Sequence, residues 1–165
     1  MSSVKVKFTP NSVEVLGAVD DAINTWLEEA CGEIESAAKR NTSVGQIGGG
    51  KTKGAWKHKV DRIGHKGVVG NPEQTAIWLE LGTGEYALNG DGRKGGWYIP
   101  IGNGKGMISQ EVVDAYGFKI EHGKNGMKYA YTTGMKPQRP LHNAVEKNKA
   151  KIQKRLVEIL KELDE

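Results

Sequence analysis

Ala76-Ile77-Trp78-Leu79-Glu80-Leu81-Gly82-Thr83-Gly84 decides how the rest of this chain is read. An apolar run carries one carboxylate near its end and then stops at Gly-Thr-Gly. A charged group within an apolar segment costs several kcal/mol unless it is paired or hydrogen-bonded. Glu80 therefore sits at a solvated rim or has a dedicated partner. The run reads as a strand, Thr75 to Leu81, whose end delivers Glu80 into a loop.

Outward from this stretch, the middle of the chain is built of turns. Of 23 glycines, 17 fall between Gly45 and Gly106, so only short elements fit between them. Strand-like pieces run from Ala55 to Ile63, Gly67 to Val69 and Trp97 to Ile101. Phe118 to His122 and Met127 to Thr132 flank the turn Gly123-Lys124-Asn125-Gly126 and read as a β-hairpin. Ile108 to Tyr116 reads as a short helical or irregular excursion.

Helices bound this region. Val4 to Phe8 alternate as a short strand, Pro10-Asn11-Ser12 breaks it, and Asn11 or Ser12 caps a helix with Glu14 in its first turn. Leu16, Val19, Ile23, Trp26, Leu27, Ala30, Ile34, Ala37 and Ala38 then form one apolar face. Gly17 is expected to delay the regular helix to about Asp20, and Lys39-Arg40 suit its C-terminal dipole. Pro140 opens the last helix, whose stripe is Leu141, Ala144, Val145, Ile152, Leu156, Ile159, Leu160 and Leu163. Helix, several strands, helix predicts an α+β fold: an antiparallel sheet packed by a long N-terminal and a C-terminal amphipathic helix. At 165 residues one domain over 1–165 is expected, with flexible loops at 42–54 and 84–96.

Composition narrows the function. With 37% apolar and 27% charged residues the chain reads as soluble and globular. No run of about 18 apolar residues suggests a membrane partner. The start alternates rather than forming an apolar core, so no signal peptide is expected. The single Cys31 excludes an internal disulfide and a cysteine metal cluster, and reads as a small core residue. The net charge of +4 comes with mixed Lys and Glu and reads as a solvated surface. Trp56-Lys57-His58-Lys59 leaves open a small nucleic-acid-binding module.

Gly45-Gln46-Ile47-Gly48-Gly49-Gly50-Lys51-Thr52 matches the Walker A phosphate-loop pattern. Its context is wrong: no apolar strand leads in, and an alternating pattern rather than a helix follows. A nucleotide-binding protein using 45–52 is thus an alternative reading, and a glycine-rich loop the simpler one. Asn89 to Gly96 lacks the alternating acidic ligands of a calcium loop. His58, His65, His122 and His142 lack metal-ligand spacing, and no nucleophile–base arrangement is legible. The expectation is no enzyme, no cofactor and no metal. Trp26 and Trp78 read as core; Trp56 and Trp97, beside glycine-rich loops, read as loop anchors or interface residues.

Three segments in order then resemble a known family. They are Thr52-Lys53-Gly54-Ala55-Trp56 after the long helix, Ala76 to Thr83 followed by Gly84 to Trp97, and Thr132-Thr-Gly-Met-Lys-Pro-Gln-Arg-Pro-Leu-His-Asn-Ala144. Together, across roughly residues 18 to 160, they resemble the small neck or tail-completion proteins of long-tailed bacteriophages and prophages, which include head–tail joining and minor capsid proteins. The resemblance implies a virion structural subunit at the neck or tail top, assembled in the bacterial cytoplasm as a homo-oligomeric ring, hexameric by expectation. Its implied partners are further copies of itself, a tail terminator or tube protein and the connector or its adaptor, with DNA passing a lumen. Headless tail-like bacteriocins carry related proteins. Trp56, Glu80, Gly82, Thr83, Trp97, Arg139 and Pro140 are the implied assembly residues, with Glu80 and Arg139 pairing at a loop junction or between subunits.

Overall fold

The computed structural model of the chain describes residues 12–45, 50–124 and 126–163. The strand expected over 4–8, the capping role of Asn11, residues 46–49 of the phosphate-loop-like stretch and of the expected flexible loop, and the tip residue Asn125 lie outside them. The architecture is α+β. Helix α1 (Ser12–Asn41) is followed by the single turn α2 (Lys51–Gly54), strands β1 (Lys57–Asp61) and β2 (Lys66–Gly70), and helix α3 (Gln74–Leu81). Strand β3 (Trp97–Pro100), helix α4 (Gln110–Tyr116), strands β4 (Lys119–His122) and β5 (Lys128–Thr132), and helix α5 (Pro140–Lys161) complete it. Among the described residues the strands form two small antiparallel sheets, β1-β2 and β3-β5-β4.

Helix α1 runs through Gly17 without delay, since its regular turns begin at Ser12. One glycine costs only about 1 kcal/mol in a helix interior, which a long helix absorbs. Helix α5 lies antiparallel to α1. Asn41 Nδ2 donates to the Pro140 carbonyl at 3.1 Å, and Trp26 Nε1 to that of Ile152 at 2.9 Å. Arg155 grips Glu29 through two nitrogens at 2.8 and 3.2 Å, and Lys151 reaches Glu33 at 3.1 Å.

The core sits where α1, α3 and α5 meet around Trp56. Ala37, Ala38, Ala76 and Ala144 surround the indole, and Ile34, Val69 and Leu141 pack at its margin. Small side chains let three helices close on one large ring. The buried indole N–H donates to Thr42 Oγ1 at 2.8 Å, and that hydroxyl donates to the Ala38 carbonyl at 2.7 Å. Thr42, the first residue of the expected flexible loop, is thus buried at the end of α1.

The stretch that opened the sequence is a helix, not a strand. Ala76 and Leu79, three apart, are buried, whereas Ile77 and Trp78 are 57% and 44% exposed. Burial at three-residue spacing is helical, and a short apolar run cannot be assigned from its period alone. Gln, Ala, Leu and Glu are also good helix formers. Asn71 Oδ1 accepts the Glu73 N–H at 3.0 Å and sets the turn into α3. Trp78, expected in the core, therefore faces outward.

The β1-β2 hairpin lies on α1 through its inward residues. His58 Nδ1 is 2.6 Å from Glu35 Oε2, and its Nε2 is 3.4 Å from Glu28. Arg62 and His65 reach Glu28 and Asp20 at 3.7 and 3.4 Å. Hydrogen bonds from Lys39 first, then His58, hold the Glu35 carboxyl below its ordinary value of 4.5. A depressed folded-state value adds stability that is complete above the ordinary value and drains as pH falls below it. Urea midpoints measured from pH 6 down to pH 3 should accordingly fall more steeply for the wild type than for Glu35→Gln, and the two curves should converge at the acid end.

Candidate functional site

The most constrained region is the junction where residues 79–85 meet residues 133–143. Helix α5 begins with Pro140, which has no N–H to satisfy. The next two amides, of Leu141 and His142, donate to the two carboxylate oxygens of Glu80 at 2.9 and 3.0 Å. The fourth, of Asn143, donates to the Arg139 carbonyl at 2.9 Å and starts the regular ladder. One carboxylate from another helix thus meets every free amide of the α5 N-terminus, where the helix dipole also favours negative charge. The Leu79 carbonyl adds the amides of Gln138 and Arg139 at 2.8 and 3.1 Å.

Below Glu80 the chain turns out of α3 through Gly82, at φ 73°, and crosses the segment before α5. Thr83 N–H donates to the Met135 carbonyl, Met135 N–H to Thr83 Oγ1 and Glu85 N–H to the Thr133 carbonyl, each at 2.9 Å. The backbones touch at Gly84 and Gly134. A Cβ on Gly84 would strike the Thr133 carbonyl and the Trp97 ring, and one on Gly134 would strike the Thr83 carbonyl. Gly82-Thr83-Gly84 is therefore a clamped crossing. Trp97 covers it from β3, with Arg93 stacked 5.7 Å from the ring centroid.

Six of the seven residues marked from sequence meet here: Glu80, Gly82, Thr83, Trp97, Arg139 and Pro140. Trp56 does not, being 3% exposed in the core. Its indole bonds Thr42 at the end of α1, and Pro140 is likewise fully buried. Within the chain Glu80 and Arg139 form no ion pair, and both oxygens of Glu80 accept α5 amides. Arg139 instead supplies the α5 cap position in the left-handed region, at φ 55°. The sequence reading missed Thr133 to Met135, although Thr-Thr-Gly before a proline-bounded helix marks a tight crossing. It also missed Ile77 and Trp78 as outward residues.

The remaining chemistry is sparse. The phosphate-loop-like stretch follows helix α1 rather than a strand and opens only the four-residue α2, and its Lys51 engages Glu73 at 3.0 Å. Among the described residues no three His, Cys, Asp or Glu gather as a metal site. No helix among them is long and apolar enough to cross a membrane. A groove of about 520 Å³ between α1 and α5 is floored by Trp26, Ala30 and Ile152 and walled by the Glu29–Arg155 and Glu33–Lys151 pairs. The Arg155 hydrogen bond holds Glu29 below its ordinary range, so that wall is ionic glue between helices. No family model, curated protein or solved structure matches the chain.

Glu80→Ala leaves two amide donors without a partner at a half-buried helix start and should cost about 2 kcal/mol in urea unfolding, with Glu80→Gln losing less. Arg139→Gly separates capping from ion pairing. Relief of the left-handed conformation should leave it within about 1 kcal/mol of the wild type, on the stabilising side. A loss as large as that of Glu80→Ala would show that Arg139 and Glu80 act as a pair.

Proposed function

We propose that this protein is a structural subunit of a phage or phage tail-like particle, forming a ring at the neck or tail top between the connector and the tail terminator or tube. One observation carries the reading. The two most family-like segments, Ala76 to Gly84 and Thr132 to Ala144, interlock through the Glu80 cap and the Thr83–Met135 exchange. Residues that are far apart in sequence and serve one junction are expected of a shared architectural motif. They are not arranged as a catalytic set, because the one well-placed carboxylate is spent on backbone amides.

The surface supports assembly. Ile77 and Trp78 face outward from α3, and Leu88, Tyr98 and Tyr116 are half exposed or more. Large outward apolar and aromatic residues are enriched at subunit contacts. A ring needs heterologous contacts between two different patches of one subunit, repeated around a closed axis.

Tail-bearing particles from induced host cells, probed with antibody to this chain in negative stain, should be labelled at one end of the tail. The purified protein should form closed rings alone or on addition of those particles. Particles free of the chain, with the protein monomeric in their presence, would overturn the reading.

A further inference from the structure

The β1-β2 hairpin has two chemically opposite faces. Strand alternation turns His58, Val60, Gly67 and Val69 toward α1 and Lys57, Lys59, Asp61, Lys66 and Val68 toward solvent. Register places Lys57 opposite Gly70, Lys59 opposite Val68 and Lys66 opposite Asp61, so three successive rows of the outer face each carry one lysine. Rows on one face are about 6.8 Å apart, so the three rows span roughly 14 Å of backbone.

Two of the three rows carry a lysine alone, and the third sets Lys66 across from Asp61. The carboxylates nearest the hairpin, Asp20, Glu28 and Glu35 on α1, are answered by His65, Arg62 and His58 from the inner face and the tip. None of Lys57, Lys59 and Lys66 has a carboxylate within ion-pair reach among the described residues. The one acidic side chain on the outer face, Asp61, accepts the amides of Ile63 and Gly64 at 3.2 and 3.1 Å and shapes the turn.

We infer that this outer face is a docking surface for the sugar–phosphate backbone of duplex nucleic acid. A duplex carries one phosphate per about 1.7 Å of axis, so a 14 Å row of lysines faces several of them and gains by releasing their counterions. The face carries no aromatic side chain, since Trp56 is turned into the core, and so offers no platform for stacking unpaired bases. Contacts to phosphate alone make the binding independent of sequence. If the chain forms a ring, the hairpin is the element that faces the passing DNA.

Binding to a short labelled DNA duplex, followed by fluorescence anisotropy between about 50 and 200 mM salt, tests this. The wild type should weaken steeply with salt. The exposed triple variant Lys57→Gln, Lys59→Gln, Lys66→Gln should flatten the log–log slope by about 2.7, while keeping the wild-type urea midpoint. Lys147→Gln, Lys149→Gln, Lys161→Gln on α5 removes the same charge and should leave the slope unchanged. Absence of wild-type binding at the lower salt, or equal flattening by the α5 variant, overturns the assignment. So does hairpin-dependent binding to phosphatidylserine vesicles without binding to the duplex. The inference stands on the hairpin's own charge. A ring indifferent to DNA overturns it alone, and a monomer that binds DNA through these lysines overturns the ring alone.

Discussion

The carboxylate of Glu80 is the constraint on which the rest of the structure depends. It takes the Leu141 and His142 amides, which no residue of α5 can satisfy. A helix end without such partners would leave buried donors unmet beside the core. Because the cap comes from α3, the start of α5 is fixed in space by the end of α3. Leu141 and Ala144 then fall against Trp56, and α5 runs back along α1 toward Arg155 and Glu29. The crossing of Gly82-Thr83-Gly84 over Thr133-Gly134-Met135 ties β5 to the same point, so both ends of the glycine-rich half are held at one place.

Around that junction the molecule divides its polar chemistry by task. The α1–α5 seam uses Glu29, Glu33, Lys151 and Arg155 as cross-helix pairs. The hairpin uses His58, Arg62 and His65 to sit on α1 and leaves its lysines outward. The interior is nearly free of charge, and Thr42, its buried polar residue, links the Trp56 indole to the end of α1.

Much of the fold was legible. The apolar stripes of α1 and α5 repeat over many turns, and helical period is a strong signal at that length. The β4-β5 hairpin was marked by its Gly-bounded turn, and Pro140 marked the start of α5. Short elements were less readable. Thr75 to Leu81 reads as a strand because a seven-residue segment with five apolar residues fits either period. Hydrophobicity alone puts Trp78 inside, and only the helical phase of α3 turns it outward. The anomaly of Glu80 was visible and so was the need for a partner, but Arg139, the nearest conspicuous cation in the motif, was the wrong partner within the chain.

The sequence by itself determined the α+β class, the two long amphipathic helices and the residues where the chain must turn or be capped. These are local consequences of periodicity, proline and glycine, which act within a few residues. Only the tertiary structure decided that α3 is a helix, that Glu80 caps α5 sixty residues away and that Trp56 is core. It also decided that three lysines line the outer face of the hairpin while His58 on the inner face and His65 at the tip meet α1. Each of these depends on which distant backbone donor, carboxylate or apolar face arrives beside a residue, and no local preference carries that information.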